Sequence, residues 1–307
     1  MDDENAADKK MLLPMFLMAG LFVLIDGLAL LMIKPFSDQG MTVFENANDP
    51  FNLVIFFGIL LGMTVAILLI AKYWKKWLIR ALILFAVGYT SFYVFFPLFA
   101  LAIQADIAFV LSAGAAVLLT VVLFKYPEWY IIDLCGIIVG SGAIALFGIS
   151  LGMFLVILIL IGLAIYDAIS VYKTKHMIDL ADTVMDLKLP VLLVIPKIRH
   201  YSLLKETKRL KDQLKEGTER DAFFMGLGDI VMPGILVAAA YSSIENSLPI
   251  VVSIIIGTLV GFMVLMTFVM KGKPQAGLPC LCGGALAGYV ISSLVLHGSL
   301  VGLTLPF

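Results

Sequence analysis

Charge is scarce in this 307-residue chain: Asp, Glu, Lys and Arg make up 14% of it, against 62% hydrophobic residues. A soluble globular domain carries about 25% charged and about 45–50% apolar residues, so that class is excluded. A mean hydropathy of +1.06 points instead to a polytopic membrane protein. An excess of basic residues is also missing, the net charge being -1. A nucleic-acid partner is thereby excluded, because neutralising phosphates takes a surplus of Lys and Arg. Cysteine is nearly absent. Cys135, Cys280 and Cys282 all lie in apolar stretches, and an odd set so placed builds no disulfide framework. The first apolar run, Met11 to Ile33, has no small-residue cleavage site and exceeds the roughly 7–15 residues of a signal-peptide core, so it is expected to stay in the protein.

What the chain does contain is long apolar runs. About 20 such residues cross the hydrocarbon, and cutting the sequence at charge, Pro and loop chemistry predicts nine spans: 11–33, 51–71, 79–103, 107–124, 131–147, 152–172, 222–241, 248–270 and 276–303. Asp133 to Tyr172 is too long for one crossing, and a tight hairpin is predicted at Gly148, Ser150 and Gly152. Each span must satisfy its own backbone in lipid, which makes the fold all-α apart from re-entrant or water-lined pieces. Three parts are expected: a six-span part over 1–172, a loop over 173–221 and a three-span part over 222–307.

With loops assigned alternately to two sides, 20 of the 21 basic residues fall on one side and only Lys34 on the other. The positive-inside rule makes the first side cytoplasmic, with the N-terminus inside and the C-terminus outside. A miscounted span would break the alternation, so the asymmetry supports the count as well as the orientation.

A charged side chain in hydrocarbon costs at least a few kcal/mol, which marks every intramembrane acid as a functional candidate. Four qualify: Asp26, Asp133, Asp167 and Asp229. Asp133 follows Tyr130 near a boundary and is expected to turn toward the interface. Asp26 is expected to hydrogen-bond a neighbouring helix, with an ion site as the lesser reading. Asp167 and Asp229 match each other. Asp167 lies six residues before Lys173 and Asp229 eight after Asp221, which places them ~9 Å and ~12 Å from the same boundary on antiparallel spans. Facing carboxylates that close cannot both ionise and hold one proton between them. Such a pair suits hydrolysis, with one Asp as base toward water and the other as acid toward the carbonyl. A proton-sharing structural pair or a cation relay fits the spacing equally well.

The neighbours of these acids are Tyr166-Asp167 and Gly226-Leu227-Gly228-Asp229, followed near the ninth span by Pro279-Cys280-Leu281. Together they resemble the signature of the intramembrane aspartyl proteases, the presenilin and signal peptide peptidase family: Tyr-Asp in the sixth span, Gly-x-Gly-Asp in the seventh and Pro-Ala-Leu in the ninth. Cys280 departs from that pattern where Ala is expected. The likeness covers the nine-span frame and is greatest to a compact microbial presenilin homologue; the basic-residue orientation is the presenilin-like sense. It implies an aspartic endopeptidase cutting transmembrane helices, with Asp167 and Asp229 catalytic and Tyr166, Gly226, Gly228, Pro279, Cys280 and Leu281 shaping the substrate site. Cofactors and metals are not expected, since the Cys280/Cys282 pair has no nearby His or carboxylate to complete a site. Expected partners are transmembrane peptides and the bilayer of a prokaryotic plasma membrane, with homo-oligomerisation left open.

Pro279 disfavours helix in the residue before it, and the segment around Leu278 to Leu281 is therefore expected to enter the membrane unwound. In the long loop, Met177 to Leu187 reads as an interfacial amphipathic helix and Lys205 to Arg220 as a solvated helix. Between them Leu189 to Pro196 is too short to span; it is either a surface anchor or a β-prone segment that pairs with substrate or is itself cut. The rival functional class is a carboxylate-gated cation or proton transporter or channel, against which stands the lack of an inverted repeat between the halves.

Overall fold

In the computed structural model, the structure describes residues 2–73, 76–171, 192–197, 222–270 and 275–303. Nine helices occur among them: α1 Asp2–Asp38, α2 Phe51–Tyr73, α3 Lys76–Ala100, α4 Ala105–Lys125, α5 Trp129–Ser150, α6 Met153–Ile169, α7 Leu227–Ser243, α8 Leu248–Met270 and α9 Gly277–His297. Lipid offers no partner to N–H and C=O groups, so these apolar runs close their hydrogen bonds internally as helices. Six are long and apolar enough to cross a membrane, as befits an integral, multi-pass membrane protein. The predicted break between the fifth and sixth spans falls at Ser150 to Gly152, where α5 ends and α6 begins. The α1–α2 connection laces onto that corner: Val43 N–H donates to Ser150 Oγ at 2.8 Å and Gly152 N–H to the Ala47 carbonyl at 2.7 Å.

The seventh span differs from expectation. Residues Ala222–Gly226 form a strand, β2, that pairs antiparallel with β1, Leu192–Pro196, in a register of Leu192↔Gly226, Val194↔Phe224 and Pro196↔Ala222. The helix begins only at Leu227. Ala-Phe-Phe-Met is as apolar as any helical turn, but a β partner is available and the glycines behind it disfavour extending the helix backward. The predicted 177–187 and 205–220 helices lie outside the described residues.

Helix α7 occupies the centre. Ile235 to Ala240 are all within 2% of complete burial, and such a segment, apolar all round, can only be an interior helix. Around it, α1 contributes Phe22 and Ile25, α5 Ile144, α6 Leu160 and α9 Tyr289 to one continuous core. At the periphery, α4 presents Phe109, Val110, Val117 and Leu118 outward, the apolar face that a lipid surround accepts. Helices α8 and α9 touch backbone to backbone: a Cβ on Gly257 would meet the Gly284 carbonyl, and one on Gly284 the Gly257 carbonyl. Neither backbone can yield. Gly284→Val is therefore expected to destabilise the fold by about 1–3 kcal/mol, the usual overpacking cost, read as a lowered unfolding midpoint in detergent; an unchanged midpoint would show that the contact relaxes.

Candidate active site

The two helices bearing the matched acids are both 17 residues long. At 1.5 Å per residue that is ~26 Å, short of the ~30 Å hydrocarbon thickness. Asp167 therefore lies near the end of α6 and Asp229 is the third residue of α7. Each carboxylate sits at a helix terminus, where backbone groups have no intrahelical partner.

Those termini meet the start of α9. Asp167 is 5% exposed, and its Oδ2 accepts the Leu278 N–H at 3.1 Å, with the Gly277 amide also contributing. The half-buried Asp229 turns back over its own first turn. A Cβ added to Gly226 would lie 3.2 Å from Asp229 Oδ2, and one added to Gly277 would lie 3.1 Å from it. Both carboxylates thus converge on Gly277–Leu278. The first amides of a helix are free donors backed by a dipole that favours negative charge, so the α9 N-terminus suits Asp167, and the first turn of α7 suits Asp229.

Pro279 is the third residue of α9, which is already helical at Gly277. The unwound entry predicted here is not found. Proline costs a helix nothing in its first turn, because its missing N–H would have had no intrahelical acceptor there. The segment's contribution is the Leu278 amide, which it aims at the Asp167 carboxylate. Leu281 is completely buried, and the Cys280 carbonyl abuts Gly261 of α8, which seats the turn. Gly228 is exposed with open space where a Cβ would be, and Tyr166 is 48% exposed on α6.

Two expectations for the other acids are corrected. Asp133 does not turn to the interface. It is 8% exposed, and its Oδ1 accepts the Val194 N–H of β1 at 2.8 Å, because the strand pair covers that end of α5. Asp26 has no hydrogen bond at Oδ1; that oxygen would lie 2.7 Å from a Cβ on Gly234, against a part of α7 whose amides are used within the helix. Sequence reasoning also passed over Gly277. A glycine directly ahead of Leu-Pro at the start of a span was the available signal.

The chain is similar to known proteins over most of its length. The family model described as "Signal-peptide peptidase, presenilin aspartyl protease" matches residues 19–298. Two crystal forms of a presenilin family intramembrane aspartate protease, in space groups P2 and C222, are similar in structure. The first has a TM-score of 0.68 at 34% identity and the second 0.66 at 32%; each likeness covers 92% of this chain and 98% of the other. Among curated proteins no significant match is found.

Proposed function

The chain belongs to the signal-peptide peptidase and presenilin aspartyl protease family, and from that premise we propose that it hydrolyses peptide bonds within transmembrane helices, with Asp167 and Asp229 as a two-carboxylate dyad. The observation that carries the reading is the convergence of both carboxylates on the first amides of α9. With one proton shared, the ionised carboxylate removes a proton from water as its oxygen attacks the peptide carbonyl carbon. The other carboxylic acid donates its proton to the carbonyl oxygen, giving a neutral gem-diol. The first residue, now protonated, then protonates the leaving nitrogen while the second takes back a hydroxyl proton. The C–N bond breaks and the pair returns with its single proton.

A peptide bond in a helix must be unwound before water reaches it, and each backbone group so exposed in hydrocarbon costs several kcal/mol. The strand pair supplies partners. In an antiparallel ladder a residue's N–H points either to its partner strand or away from it. Val194 N–H goes to Asp133, so Val194 faces away from β2, and its partner Phe224 faces away from β1. The outer edge of β1 is thus covered by α5, while among the described residues no strand pairs with the other edge of β2 at Phe224. Of the readings open for 189–196, this one makes it the support and β2 the strand that takes the substrate, by strand addition; β2 ends at Gly226, three residues before Asp229. Gly226 and Gly228 keep the approach clear, Pro279, Cys280 and Leu281 hold the facing turn, and Tyr166 borders the entry. The N-terminus and the 173–221 loop are assigned to the cytoplasm of a prokaryotic plasma membrane, between a six-span and a three-span part; self-association is compatible with this arrangement.

Purified protein given a model transmembrane peptide in liposomes, with ion flux followed in parallel, is the direct test. Cleavage without flux is expected; flux without cleavage would return the chain to the transporter class. Single-turnover cleavage should also trace a bell against pH. At low pH the pair holds two protons and lacks a base; at high pH it holds none and lacks an acid, and the limbs belong to the pair. A profile flat from acidic to alkaline pH would contradict a shared proton.

A further inference from the structure

The hydrogen bond from Val194 to Asp133 lies outside the dyad, yet it controls the strand pair that leads into it. Asp133, Gly136 and Gly140 follow one another at i, i+3 and i+7 along a single stripe of α5. A Cβ at Gly136 would come within 2.7 Å of Leu193 Cδ2, and one at Gly140 within 3.1 Å of Leu227 Cδ1. Leu193 belongs to β1, and Leu227 opens α7 immediately after β2. The stripe therefore seats both sides of the hairpin: two glycines leave room for two leucines, and Asp133 supplies the polar contact that sets the height of β1. Sliding β1 by one residue, with the half-turn that restores the ladder, would bring a neighbouring N–H to Asp133 but turn Leu193 out of the space that Gly136 leaves for it. A buried carboxylate without a donor is costly, so Asp133 holds an outward N–H of β1 at this height, and the fit of Leu193 over Gly136 makes it that of Val194.

We propose that Asp133 is a positioning and specificity-determining residue: by holding Val194 N–H it closes the outer edge of β1, leaves β2 as the edge that receives substrate, and sets which substrate bond reaches Asp167 and Asp229. This rests on the protease reading above. The acceptor oxygen, not catalysis by the carboxylate, is what matters, and Asn retains such an oxygen where Leu does not.

The test uses the full-length protein in liposomes with a model transmembrane peptide, product masses read by mass spectrometry, and amide hydrogen exchange across 192–196. Asp133→Leu should raise KM about tenfold, the loss of one good hydrogen bond to a charged group, change kcat less than KM, and spread cleavage over neighbouring bonds. Exchange at Val194 should quicken about tenfold for the same reason. Asp133→Asn should restore the parental product pattern. Should the Leu variant fail to fold, Val194→Pro removes the donor at a strand position that makes no ladder bond and should spread the products in the same way. Parental KM and product masses in folded Asp133→Leu or Val194→Pro, or an Asn variant as defective as Leu, would overturn the proposal while leaving the protease reading intact. Absence of cleavage by the unaltered protein would overturn both, and the exchange result would then describe a structural bond alone.

Discussion

Asp229→Asn and Asp167→Asn should each lower single-turnover cleavage by about 10⁴-fold, the upper end of what general acid–base catalysis supplies, while leaving the fold intact. Loss should be this large because the two residues act as a unit: an amide can neither take the proton from water nor return one, so removing either partner ends the exchange for both. Folding should survive because Asn is nearly isosteric and its oxygen can still accept the Leu278 N–H that binds Asp167 Oδ2 at 3.1 Å. Either variant should therefore unfold at about the temperature of the parent. Full activity in the Asp229→Asn protein would remove this dyad from the reaction.

The second large effect is expected at Gly277, which carries no functional group. Its hydrogen stands where a Cβ would come to 3.1 Å of Asp229 Oδ2 and 3.3 Å of Asp229 Cγ, tighter than ordinary van der Waals contact. Alanine requires the carboxylate to yield by a few tenths of an ångström. A β-branched residue requires more, and a misplacement of about 1 Å can cost about 10²-fold in rate. Gly277→Val should therefore lose about 10²-fold in kcat with little change in KM, and Gly277→Ala correspondingly less. The helix itself should tolerate both, since Gly277 opens α9 and a side chain there lowers backbone entropy in the unfolded chain. Parental kcat in the valine variant would place the Asp229 carboxylate elsewhere during the reaction.

The features legible in the sequence are those written into contiguous residues. Nine helices among the described residues stand where nine spans were predicted, the seventh starting late at Leu227, and the α5–α6 corner falls at Ser150 to Gly152, because lipid forces each apolar run to bond within itself. Counting residues from charged boundaries matched Asp167 with Asp229 in expected depth; the structure adds that both lie near the start of α9. Tertiary structure decided what those counts could not reach. Asp133 lies 61 residues from Val194 and Asp167 lies 111 from Leu278, so neither partner can be inferred from local pattern. The strand character of Ala222–Gly226 depended on Leu192–Pro196 being beside it, for an apolar pentapeptide has no preference strong enough to decide alone between helix and strand. Pro279 by itself suggested unwinding. Only the carboxylate waiting at the α9 N-terminus, which takes the Leu278 amide that a first turn leaves free, made a helical start at Gly277 the favoured arrangement.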